Sequence, residues 1–91
     1  MSKFEKLLFK LLSGNADKSF SFSDLVKILE TYDFAVRIKG SHHIFYKEGV
    51  SEIMNLQNGE SGKAKPYQVK QVRELLIKYK IVEQNTEDDE S

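Results

Sequence analysis

The chain has 91 residues, 40% of them hydrophobic, no cysteine and a formal net charge of zero. That length supports one hydrophobic core and leaves no room for a second. The missing thiols exclude a disulfide framework and a thiolate metal site, and they make the cytoplasm the natural compartment.

Neutrality conceals an uneven charge distribution. Five acidic residues (Glu83, Glu87, Asp88, Asp89 and Glu90) crowd the last nine positions, whereas residues 37–80 hold nine basic side chains against four acidic ones. A basic domain with an acidic end has the pattern of a polyanion binder, although an excess of this size also occurs on ordinary surfaces.

In chain order, Phe4, Leu7, Leu8, Leu11 and Leu12 recur at helical spacing and predict an amphipathic helix, with Gly14 as its C-cap. Glu5, Lys6 and Lys10 interrupt that run and no small-residue cleavage site follows, so it reads poorly as a signal peptide; no stretch is long enough to span a membrane. Ser23 is the expected N-cap of a second helix, with Asp24 complementing its dipole and Leu25, Ile28 and Leu29 forming its buried face. From Phe34 the pattern changes to short β-branched and aromatic runs, "FAVRIK", "HHIFYK" and "SEIMNLQ", joined by "GS" and "EGV". These predict a three-stranded antiparallel meander. After the loop "NGESGKAK", Pro66 suits the first turn of a helix whose stripe is Val69, Val72, Leu75, Leu76 and Tyr79. The end, residues 83–91, is too acidic and too poor in apolar residues to pack and is expected to be disordered. The expected class is α+β, an α-β-β-β-α core over residues 23–82 within a single domain spanning 1–82, with residues 1–14 as an additional N-terminal helix. Two helices can cover only one face of such a sheet, which leaves the other for a ligand.

The only two histidines, His42 and His43, stand side by side at the start of the second strand. Successive strand residues point to opposite faces, so the pair cannot converge on one metal ion, and no cysteine or third histidine completes a set. By default a histidine in a sheet is structural, but the context here is not neutral. Gly40 permits a sharp turn, Ser41 supplies a hydroxyl, and Arg37 and Lys39 alternate onto one face opposite Val36 and Ile38. Imidazole as a class exchanges protons near neutral pH, and beside cations that hold a phosphate it can activate the 2′-hydroxyl that RNA alone carries. Lys63 and Lys65 precede a helix N-terminus, itself favourable to phosphate, and Lys70 and Arg73, three residues apart, are expected to extend the basic strip. Phe45 and Tyr46 are candidates for base stacking, with Phe45 the better candidate for the core.

These residues carry a resemblance. "KGSHHIFYKEG", followed by "IMNLQ" and "KAKPYQVKQVRELL", resembles the HicA family of toxins, the small ribonuclease component of HicA/HicB toxin–antitoxin pairs, over roughly residues 23–82. The leading "LLSGNADKSFSFSDL" is similar to the extended amino terminus of one branch of that family. The resemblance implies a fold like the double-stranded RNA-binding domain and an mRNA interferase that cuts without a metal or other cofactor. It places catalysis on His42, supported by Gly40 and Ser41, and gives His43 no such role. Arg37, Lys39, Lys47, Lys63, Lys65, Lys70 and Arg73 are then the expected RNA contacts, a HicB-like antitoxin the expected protein partner, and a monomer the expected free state. The sequence departs from the commoner short form in its additional first helix and its neutralising acidic end. A second reading is a catalytically silent RNA-binding module on the same scaffold, and a third is an interaction domain whose apolar first helix docks on a partner.

Overall fold

The computed structural model describes residues 2–82. The acidic segment expected to be disordered, residues 83–91, lies outside them.

Helix α1 spans Lys3–Ser13. Its start is set by a capping box that apolar spacing alone does not reveal: Ser2 Oγ accepts from the Glu5 N–H at 3.1 Å, and the Glu5 carboxylate accepts from the Ser2 N–H at 2.9 Å. Gly14 ends the helix in the left-handed conformation, φ 76°, as expected of a C-cap glycine. Leu11 is fully buried, and Phe4, Leu7, Leu8 and Leu12 pack partly buried against the core.

Helix α2 spans Phe22–Thr31, and its N-cap is Ser21 rather than the expected Ser23; Ser21 Oγ accepts from the Asp24 N–H at 3.3 Å. The two-residue shift has a packing cause. Phe20 and Phe22 are both buried, so the chain enters the core before the helix begins, and the core starts upstream of residue 23.

Strands β1 (Ala35–Lys39), β2 (His42–Lys47) and β3 (Val50–Gln57) form the expected antiparallel meander, in the order β1-β2-β3. Gly40 takes φ 61° in the tight β1–β2 turn, and no atom lies within 4 Å of where its Cβ would stand, so conformation and not space calls for glycine. Register puts Val36 opposite Phe45, and Phe45 opposite Met54. His43 and Leu56 are paired on the same side. Phe45, Met54 and Leu56 are fully buried there against Leu25, Ile28 and Leu29 of α2 and against Val69, Val72 and Leu76. Each such side chain contributes roughly 1.5–3 kcal/mol by leaving water.

Helix α3, Pro66–Lys78, supplies the last three of those residues and has Pro66 in its first turn as expected. Its buried Gln68 pairs with the backbone of Gln57: with the amide nitrogen turned to β3, it donates to the Gln57 carbonyl and accepts from the Gln57 N–H, both at 3.1 Å. One side chain thereby satisfies the edge of β3 where it turns toward residues 58–65. Arg73 forms a two-pronged ion pair with Asp17, at 2.8 and 3.0 Å, and donates to the Leu11 carbonyl at 3.1 Å, which ties α3 to the end of α1.

At the start of β3, Glu52 accepts from Lys78 Nζ at 2.6 Å and from the Tyr79 hydroxyl, which also meets Ser51 Oγ at 3.0 Å. The Lys78 ammonium, then the Tyr79 hydroxyl, hold the Glu52 carboxyl well below the usual carboxylate range, at about 2. A carboxyl depressed on folding adds stability that is complete above its unfolded value and fades as pH falls from about 4.5 toward 2. Acid melts should therefore show Glu52→Gln losing less stability than the parent over that window, by a small margin because the pair faces solvent. Identical acid curves for the two chains would refute this role. No helix among the described residues is long and apolar enough to cross a membrane.

Candidate functional site

The helices pack on one face of the sheet and leave the other open. Strand alternation places Ala35, Arg37 and Lys39 of β1, His42, Ile44 and Tyr46 of β2, and Ile53, Asn55 and Gln57 of β3 on that open face.

His42 is exposed, and its backbone neighbours across the sheet are Lys39 on one side and Gln57 on the other. Its ring leans diagonally across β3, where Nδ1 lies 2.9 Å from Asn55 Oδ1. With that carbonyl oxygen as acceptor, Nδ1 carries the ring proton and Nε2 presents a lone pair to solvent. Ser41 Oγ accepts from Gln57 Nε2 at 3.2 Å, so Asn55 and Gln57 both brace the segment that follows Gly40. Neither residue was expected in the site. Their signal lies in strand parity: once β3 is paired with β2, positions 55 and 57 fall beside His42.

His43 points the other way. Its ring meets Phe22 edge-on, with centroids 5.1 Å apart, and lies near-parallel to Phe45 at 6.5 Å. Nδ1 of His43 is buried with no hydrogen-bond partner among the described residues. The two histidines therefore differ completely in surroundings, and among the described residues no group of three His, Cys, Asp or Glu side chains comes together around either.

The expected basic strip is only partly assembled. Arg37 and Lys39 share the open face with His42. Lys63 and Lys65 stand at the same end of the sheet, because residues 58–65 fold back there: Asn58 bridges to Ala64, Ser21 bridges to Lys63, and the Gly59 N–H donates to the Lys63 carbonyl at 2.8 Å. A Cβ on Gly59 would come within 2.6 Å of that carbonyl oxygen, so only glycine fits so close a return. Three other expected contacts do not join. Lys47 lies at the far end of β2 with its ammonium 5.8 Å from the Phe34 ring centroid. Lys70 projects from α3, on the covered side of the sheet, into a groove it shares with Tyr67, Gly14 and Asp17. Arg73 is half-buried and its guanidinium is taken up by Asp17 and Leu11, because three-residue spacing aimed it at α1 and not at solvent.

Comparison with protein-family models, with curated proteins and with solved structures finds no match to this chain.

The site thus offers one exposed imidazole held by Asn55, two cations on the same face and two more at its end. Such a set can bind a phosphodiester and move a proton next to it.

Proposed function

We propose that the chain is a metal-independent RNA endonuclease, an mRNA interferase of the HicA type acting as the toxin of a toxin–antitoxin pair in the cytoplasm. The observation that carries the reading is His42 itself: exposed on the open face, with Nδ1 within hydrogen-bond distance of Asn55 Oδ1. The helix, meander and helix that follow α1 support the likeness to the double-stranded RNA-binding domain. In the reaction, Nε2 takes the proton of a 2′-hydroxyl, the 2′-oxygen forms a bond to the adjacent phosphorus, and the bond to the 5′-oxygen breaks, that oxygen leaving with a proton from water while the imidazolium returns its own proton to solvent. Arg37 and Lys39 offset the charge gathering on the phosphate oxygens. Products are a 2′,3′-cyclic phosphate and a 5′-hydroxyl.

Purified protein in excess chelator should cut single-stranded RNA and leave those ends. Cleavage that needs an added divalent ion, or that yields a 5′-phosphate, would overturn the mechanism; tight RNA binding with no cleavage would favour the silent module. The partner proposed is a HicB-like antitoxin whose acidic surface covers Arg37, Lys39, Lys63 and Lys65, and whose association slows as salt is raised.

A further inference from the structure

We infer that Tyr46 is a stacking platform for one unpaired base of a single-stranded RNA that lies along β2 with its scissile phosphate at His42. The inference rests on the ribonuclease reading of His42 and adds to it a binding residue and the reason an unpaired strand is preferred.

The open face is divided along its length. Its His42 end is polar and basic, with Arg37, Lys39, Asn55 and Gln57, whereas its other end is apolar. There Tyr46 is 40% exposed and Ile53 64% exposed, with the half-buried Ile44 on β2 between Tyr46 and His42. Phe45 and Tyr46 are both aromatics that could stack on bases, with Phe45 the one expected in the core. The fold separates them, because Phe45 is completely buried and Tyr46 faces solvent. A large aromatic held at the surface of a sheet and flanked by isoleucine has left its apolar area in water without a packing reason.

The occupant follows from charge and reach. None of the strand residues on this face is acidic, and two are cationic, which fits a polyanion. Tyr46 and His42 point the same way from one strand, separated by about 13 Å at a rise of ~3.3 Å per residue. A nucleic-acid strand whose phosphate sits at His42 therefore brings a neighbouring base, at a fixed offset, over the Tyr46 ring. Only an unpaired strand can do so, since the faces of bases within a duplex are already stacked on one another.

The test uses the full chain with His42→Ala, so that RNA binds without being cut. Its affinity is measured for a labelled single strand, for the same sequence as a duplex, and for single strands in which one nucleotide at a time is abasic. The expected result is preference for the single strand, a penalty for an abasic nucleotide at one offset from the cleavage site, and loss of that penalty when Tyr46→Ala is added. Tyr46→Ala should weaken single-strand binding roughly 5- to 150-fold, and Tyr46→Phe should restore it. Tyr46→Thr, a good strand former, replaces the alanine variant if that chain does not fold. Equal affinity for duplex and single strand, or an abasic penalty that persists without Tyr46, overturns the platform while RNA binding stands. Binding to neither RNA overturns the platform and the ribonuclease reading together.

Discussion

Replacing His42 with alanine should abolish RNA cleavage and leave the fold intact, while His43→Ala should weaken the fold and spare the chemistry. The two residues are chain neighbours of identical type, so the contrast isolates the face on which each is displayed. His42 is exposed and among the described residues makes a single side-chain hydrogen bond, to Asn55, whose loss at the surface costs about 1 kcal/mol or less. If its imidazole is the proton acceptor, removing it should lower kcat by roughly 10²- to 10⁴-fold. His43 instead fills space between Phe22 and Phe45, and truncating it should cost about 1–3 kcal/mol. Because its buried Nδ1 has no partner among the described residues, His43→Phe should be neutral or stabilising, an outcome expected only where the nitrogen contributes nothing. Thermal melts and single-turnover cleavage, run well below the melting point of the weakest variant, separate the two effects. Equal loss of activity in both alanine variants would mean that the chemistry does not reside at His42.

Leu11→Ala should destabilise the chain by about 2–5 kcal/mol, enough to lower the melting temperature by roughly 10–30 °C in a domain of this size. Leu11 is fully buried although it belongs to the helix that looks like an appendage to the α-β-β-β-α core. Its own carbonyl accepts from Arg73, which is at the same time clamped to Asp17, so α1 and α3 are joined by packing and by a charged hydrogen-bond network. Breaking the contact empties a closed part of the core, since Leu11 packs in one cluster with Phe20. Phe9→Ser on the same helix should change stability by no more than about 0.5 kcal/mol, because Phe9 is 60% exposed. If Leu11→Ala melts like the parent, α1 is not part of the domain's core and its apolar stripe exists for a partner.

The local patterns were legible without a structure. Period-two runs bounded by glycine-containing turns located all three strands to within a residue or so, and helical stripes located α1 and α3, because backbone periodicity is a property of adjacent residues. Strand alternation also separated His42 from His43 and put Arg37 with Lys39, which is why the polar half of the site was visible in advance. How side chains distant in sequence meet was not legible locally. Ser21 displaces Ser23 as the α2 cap because Phe20 and Phe22 are drawn into the core. Arg73 leaves the basic strip because Asp17, 56 residues earlier, stands within reach of its guanidinium. Asn55 enters the site only through the β2–β3 register, and the exposure of Tyr46 follows from which face the helices cover. Local periodicity specifies the elements and the parity of their faces; the pairing of charges and the choice of exposed face come from long-range packing, which no local period encodes.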